Sequence, residues 1–435
     1  MTSEQPVAPA DQVAPMTKNT FVATASGNDD PPPPVKGLRR LMWWIIPANL
    51  GVFLIWGAVP GILLPQQIAL QFGDENKVAT FTIVATIGAF AAMLAQPIAG
   101  QISDRTRSRF GRRAPWILLG ALAGGLALVG LAFAASVVGI VIAWTLVQVF
   151  FNVAQGPLSA VMPDRVPRGR RGTFAALSGV GLMVGALGGS IIASFFFHSI
   201  TLGYVVFAVI ALVLLSMFVA FNPDHSSAEM AKEPFSFGDF LRTFWVNPVT
   251  HPDFFWAFTG RLLLYTGYFA VTGFQLYLLT DYFHVEAPET VIPILGLLSL
   301  VGIIISTVVS GPLSDRVGRR KPFVFASAAV VALGFLLPWM WQDLTAWVIM
   351  TFIAGFGFGM FQAVDTALMS EVLPSAKSFA KDLGIVNIAA TLPQTLAPGV
   401  AGAIVLAFGY QALFPIAIVL GILGAFAVWP IKATR

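Results

Sequence analysis

From Gly172 to Pro223 the chain carries no Asp, Glu, Lys or Arg. A helix needs about 20 apolar residues to cross a hydrocarbon layer roughly 30 Å thick. This stretch is long enough to cross twice, and similar stretches recur along the chain. Of the 435 residues, 57% are apolar and 11% charged, and the mean hydropathy is +0.80. A water-soluble domain is about a quarter charged, so a soluble enzyme and a disordered scaffold are excluded. A transmembrane β-barrel is excluded too, because its signature is short alternating segments. The expected fold is an all-α polytopic membrane protein.

Twelve spans are predicted, at 41–64, 79–101, 115–135, 139–161, 174–197, 201–221, 254–280, 290–313, 322–341, 345–368, 383–407 and 411–430. With the N-terminus inside, every basic residue except Lys77 and Arg261 falls on the inner side or in a terminal tail, as positive-inside topology requires. The outer loops carry Asp74, Glu75, Asp281, Glu286, Glu289 and Asp343. The net charge of +4 is therefore a topology signal and not a nucleic-acid footprint. Both termini are expected in the cytoplasm and the protein in the cell membrane. Residues 1–40 are polar and hold Pro31–Pro34, which reads as a disordered cytoplasmic tail with no apolar core of a signal peptide. Cys is absent, and the four histidines, His198, His225, His251 and His284, have no metal-ligand spacing. No cofactor or metal is expected.

The chain contains a repeat. Gly100-Gln-Ile-Ser-Asp104-Arg105 recurs as Gly311-Pro-Leu-Ser-Asp315-Arg316, and Gly111-Arg112-Arg113 recurs as Gly318-Arg319-Arg320. Val161–Pro167 then matches Leu368–Pro374, which brings Gln155 onto Gln362. Two pseudo-symmetric six-helix bundles are expected, at 41–221 and 253–435, joined by a cytoplasmic loop at 222–252. Transporters with such duplications bind substrate between the halves near mid-membrane.

The two Asp-Arg…Gly-Arg-Arg loops resemble the signature of the major facilitator superfamily. The longer Thr106-Arg-Ser-Arg-Phe-Gly-Arg-Arg-Ala-Pro115-Trp116 resembles the glycoside–pentoside–hexuronide symporters and the plant sucrose–proton symporters, and Gln155-Gly-Pro157 followed by Asp164 resembles the fourth span of the sucrose carriers. The sequence departs from both. The cation-binding carboxylates of melibiose-type carriers are matched by Ala92 and Gln96, the coupling carboxylate of sucrose carriers by Gln148, and their Arg after Gln-Gly-Pro by Ser159. The resemblance implies a major facilitator fold with the first, fourth, seventh and tenth spans around a central cavity. It also places Asp104 near the start of span eleven and Asp315 near the start of span five. With Arg105, Arg112, Arg316 and Arg319 these would form a latch between the halves at the inner face.

Polar side chains inside a span usually face the bundle interior. Span seven carries Arg261, Tyr265, Tyr268, Thr272 and Gln275 at one helical stripe, and span four carries Gln148, Asn152, Gln155 and Ser159 likewise. Asn49 and Trp56 in span one, Gln362 and Asp365 in span ten, and Asn387, Thr391 and Gln394 in span eleven complete the set. Amides hydrogen-bond sugar hydroxyls and aromatic rings cover sugar faces. Asn49, Trp56, Gln148, Asn152, Gln155, Tyr265, Tyr268, Gln275, Gln362, Asn387 and Gln394 are thus the candidate substrate-binding residues. An unpaired mid-span Arg costs at least ~2.5–3.5 kcal/mol, so Arg261 is expected to pair with Asp365, the candidate proton-coupling group. The reading is a monomeric alternating-access transporter for a small molecule, a sugar or glycoside taken up with a proton. A drug or metabolite:proton antiporter and a non-transporting membrane receptor are the alternatives.

Overall fold

The computed structural model describes residues 37–224, 226–228, 250–372 and 379–431, with the backbone alone for 168, 366, 367, 370, 371 and 379–390. Most of the expected tail and of the central loop lies outside these residues. Among the described residues twelve long helices follow one another. They are α1 (Leu38–Ala58), α2 (Leu64–Arg105), α3 (Ala114–Ala132), α4 (Val137–Arg165), α5 (Arg171–Phe195) and α6 (Ile200–Phe221), then α7 (Pro252–Gly273), α8 (Pro288–Val317), α9 (Lys321–Met340), α10 (Leu344–Glu371), α11 (Phe379–Phe408) and α12 (Leu413–Ala427). The helical run from Leu38 to Arg105 is broken at Gly73, whose φ of 67° and ψ of 178° end the first span. Large apolar side chains such as Leu126, Phe195 and Met340 point outward, toward the lipid.

Two helices are broken by identifiable residues. Pro60 has no backbone N–H to give, and the chain widens into a π turn at Val59–Leu63 between α1 and α2. After Gly273 the chain bends by 50°, runs through Gln275–Tyr277 and ends in a π turn at Leu278–Tyr282.

Helix pairing repeats with a shift of six. Pairs α1–α5, α1–α6, α2–α4, α3–α4 and α3–α6 pack in the first half; α7–α11, α7–α12, α8–α10, α9–α10 and α9–α12 pack in the second. The halves meet along two seams, α2–α11 and α5–α8. This is the major facilitator arrangement of two six-helix bundles.

Small residues set the closest approaches. On α5, Gly181, Gly185 and Gly189 face α1 at four-residue spacing. A Cβ on Gly181 would meet the Ile46 carbonyl oxygen at 2.5 Å, one on Gly185 the Leu50 oxygen at 3.0 Å, and one on Gly189 would run into Leu54 O. Gly179 has nothing near its Cβ position. Gly189→Leu is therefore expected to lower the apparent melting temperature in detergent, by an overpacking penalty of about 1–3 kcal/mol. Gly179→Leu should leave it nearly unchanged, and equal melting of the two variants contradicts the packing described.

Candidate functional site

A cavity of about 680 Å³ lies between the halves. The first half contributes Trp56, Gln96, Gln148, Asn152 and Gln155, and the second contributes Thr272, Gln275, Thr391, Gln394 and Thr395. The rings of Phe53, Phe81, Trp144, Phe269 and Phe274 supply much of the remaining wall. Among the described residues, none that lines the cavity is ionisable. Ala92 and Gln96, which stand where melibiose-type carriers hold cation-binding carboxylates, both line it.

The breaks in the helices build this wall. The π turn presents Pro60 and Gly61 to the cavity, and the bend after Gly273 turns Phe274 and Gln275 into it. Trp56 Nε1 donates to Gln155 Oε1 at 3.0 Å. That bond fixes the Gln155 amide with its NH2 left to donate elsewhere. Asn152 donates to the Gln148 carbonyl of its own helix at 2.8 Å.

Six of the eleven candidate binding residues line the cavity: Trp56, Gln148, Asn152, Gln155, Gln275 and Gln394. Four do not. Asn49 donates back to the Ile45 carbonyl of α1 and packs its Cβ near Gly181 of α5. Gln362 is exposed away from the lining. Tyr265 and Tyr268 are buried in an aromatic stack with Phe358, at ring separations of 5.1 and 4.1 Å. The side chain of Asn387 lies outside those described. Phe81, Gln96 and Trp144 were not among the sequence candidates. Gln96 carried a signal, as the aligned position of a family cation ligand; Phe81 and Trp144 read as ordinary apolar residues.

Arg261 and Asp365 form a buried pair, with Nε 2.9 Å from Oδ2 and side chains 7% and 1% exposed. The approach is off the N–H direction, and Arg261 Nε and Nη1 and Asp365 Oδ2 make no aligned hydrogen bond. The guanidinium lies 5.4 Å from the Tyr265 ring centroid. Tyr265 in turn touches Phe269, at 5.8 Å between centroids, and Phe269 is cavity wall. The pair thus connects to the cavity wall through two rings, Tyr265 and Phe269.

Among the described residues the ion pairs found at the basic end lie within one half each. Arg113 meets Asp104 at 2.5 Å and Asp164 at 2.8 Å, and Arg112 meets Asp164 at 2.6 Å. Asp315 is 67% exposed and pairs with Arg320 at 2.6 Å, within its own half and not at the start of α5. Arg316 and Arg319 are exposed. Arg105 lies at the end of α2. The side chains at the start of α11, where the family pattern would put a partner for Asp104, lie outside those described. A residue beyond the sequence candidates completes the network: Asp224 accepts from the Arg113 backbone N–H at 3.2 Å. Gly111 makes room for it, with φ of 86° and a Cβ position 2.5 Å from Asp224 Oδ2.

The acidic end is closed across the halves. Lys77 of α2 bonds Asp281 of the second half at 2.8 Å and Asp74 at 2.6 Å. Tyr277 donates to the Pro65 carbonyl at 2.9 Å, and the Phe81 ring packs edge-on against Phe274 and Tyr277 at 5.3 and 5.4 Å.

The model of the MFS/sugar transport protein family matches residues 75–431. The chain belongs to that family. Its curated relatives include the sucrose transport protein SUC4 of Arabidopsis thaliana, 27% identical over 35% of this chain and 33% of that protein. A general alpha-glucoside permease of Schizosaccharomyces pombe is 38% identical over 18% of this chain and 14% of its own length. The multidrug resistance protein MdtL of a Shewanella strain is 31% identical over 28% and 31%. The chain spans about a third or less of the length of these relatives. Among solved structures the nucleoside transporter NupG superposes with a TM-score of 0.72 at 15% identity, covering 90% of this chain and 98% of that one. A bacterial homologue of the human lysosomal transporter Spinster superposes at 0.66 and 14%, covering 91% and 97%. These two support the fold alone.

Arg113 is 5% exposed and takes two carboxylates. Breaking such a pair costs up to about 3–5 kcal/mol when dry. Arg113→Met is expected to lower the apparent melting temperature by several degrees. Arg109→Met, at an exposed position, should change it little. Equal shifts contradict the assignment of Arg113 as the centre of the network.

Proposed function

We propose that this chain is a secondary transporter working by alternating access, which takes up a neutral sugar or glycoside together with a proton. The observation that carries the reading is the cavity: both halves wall it, its polar groups are amides and hydroxyls, and aromatic rings flank them. Amides supply paired donors and acceptors to hydroxyls, and ring faces cover the apolar face of a pyranose. The similarity to a sucrose transport protein and an alpha-glucoside permease supports the substrate class. The conformation is closed at the acidic end. By the positive-inside rule that end is extracellular, the membrane is the cell membrane and both termini are cytoplasmic. The protein works as a monomer.

Arg261 and Asp365 are the proposed coupling pair. The melibiose-type cation positions are the neutral Ala92 and Gln96, and the sucrose-carrier coupling position is Gln148. Among the described residues Asp365 is the one fully buried carboxylate, 1% exposed. Substrate contact with Phe269 would reach Arg261 through Tyr265, and a weakened pair leaves Asp365 open to a proton. One charge crossing 100 mV is worth ~2.3 kcal/mol, enough for a roughly 50-fold concentration ratio.

A drug exporter is the second reading, supported by the 31% identity to MdtL. The neutral lining weighs against it for cationic drugs, because a desolvated charge needs a counter-charge.

The test is radiolabelled sucrose or α-glucoside flux in proteoliposomes, with and without an inward proton gradient. Wild type should accumulate the sugar, and Asp365→Asn should only equilibrate it. Gln155→Ala should raise the half-saturation concentration by roughly tenfold, the worth of one or two hydrogen bonds. Undiminished accumulation by Asp365→Asn removes the coupling role, and efflux-only transport of non-sugar solutes favours the exporter.

A further inference from the structure

We infer that Trp56 is a positioning residue for substrate choice. It holds the Gln155 amide in one orientation, so that the cavity selects a substrate atom able to accept a hydrogen bond and refuses an ammonium group at the same place. The inference rests on the sugar reading and deepens it: neutral glycosides are taken and amino sugars are turned away at one carbon of the ring.

Both residues line the cavity, Trp56 from α1 and Gln155 from α4. An indole N–H donates and never accepts. Its partner at 3.0 Å on Gln155 is therefore the amide oxygen, Oε1, and not the amide nitrogen. Turning the amide over would bring NH2 against N–H, a donor facing a donor, and would leave the indole unpaired. The indole has little freedom to follow such a turn. Its ring meets Phe151 edge-on, at 6.2 Å between centroids, and Phe151 is fully buried on α4. Phe151 and Gln155 stand one helical turn apart, so ring and amide are held from the same helix.

Gln155 is half-buried, and among the described residues its Nε2 donates to nothing. A free glutamine offers a ligand either its oxygen or its NH2, and so separates donors from acceptors poorly. A fixed one does not have that choice. With Oε1 turned to α1, the NH2 is what Gln155 has left for a ligand. It suits a hydroxyl, a ring oxygen or a glycosidic oxygen, and it opposes an ammonium group, which only donates. The neutral lining weakens an ammonium at any carbon through desolvation. The effect of Gln155 is distinct from this because it is confined to the carbon that faces it.

The test is calorimetric binding to the purified full chain. The probes are methyl α-glucopyranoside and its fluoro-deoxy and amino-deoxy derivatives at each hydroxyl-bearing carbon, below the range in which amines lose their protons. The fluorine accepts and cannot donate; the ammonium donates and cannot accept. In the wild type, the amino-to-fluoro ratio of dissociation constants should be at least roughly tenfold higher at one carbon than at the others. Trp56→Phe keeps an aromatic ring, removes the N–H and frees the amide to turn. It should lower that ratio at least roughly threefold, with the amino derivative gaining relative to the parent sugar. Gln155→Glu keeps an acceptor for Trp56 and puts oxygen in place of NH2, and it should reverse the preference at that carbon. Were Trp56 only a piece of wall, its loss would weaken every derivative alike, so an unchanged ratio in Trp56→Phe overturns the inference. A wild type that treats all carbons alike overturns it too, while leaving the sugar reading intact. Binding of none of the probes, parent sugar included, overturns the sugar reading and this inference together.

Discussion

A charge without a partner in hydrocarbon costs several kcal/mol, and this constraint orders the whole molecule. Arg261 is matched by Asp365, Arg113 by Asp104 and Asp164, and Lys77 by Asp281 and Asp74. With these charges paired away from the cavity, its lining groups among the described residues are neutral. They gather where the two bundles fail to touch. The hydrogen-bonding character of the cavity is thus a consequence of how the charges were disposed of.

The contacts between the halves are of a different kind from those within them. Within each half, glycines let helix backbones approach closely, as along α1–α5. Such contacts have no graded alternatives, and they make each bundle a rigid unit. Along the α2–α11 seam, Gly399 and Gly402 face the hydroxyl-bearing side chains of Thr86 and Thr82, and Thr395 donates to the Ala89 carbonyl at 3.3 Å. At the acidic end the halves are joined by ion pairs and rings. Among the described residues, the ion pairs of Asp104, Arg112, Asp164 and Asp315 at the basic end stay within one half each. An exchange of seals between the ends is what alternating access requires.

Much of this was legible in the sequence because the bilayer imposes a simple rule on apolar length. The span limits, the duplication and the pairing of Arg261 with Asp365 follow from spacing and from the cost of a lone charge. The stripe of span seven was legible only in part. Helical arithmetic assumes a straight rod, whereas the chain bends after Gly273, so Gln275 and Tyr265 face different surroundings. Tyr265 and Tyr268 read as polar, but their rings have apolar partners in Phe269, Phe335 and Phe358. Asn49 satisfied its amide on its own helix, an option that no residue pattern distinguishes from cavity lining. Lys77 stood out as the one basic residue on the wrong side, yet its partner in the other half lies 204 positions away and carries no local signal.

Helix α7 carries Arg261 and the wall residue Phe269 on a single rod, and the bent segment after Gly273 carries the acidic-end closure. Arg261 and Gly273 are twelve residues apart, roughly 18 Å at about 1.5 Å per residue. Pivoting the rod by about 10° around Arg261 carries its far end through roughly 3 Å, which is the length of one hydrogen bond. A small pivot at the charge pair would thus be enlarged, by leverage alone, toward the bent segment that carries Asp281.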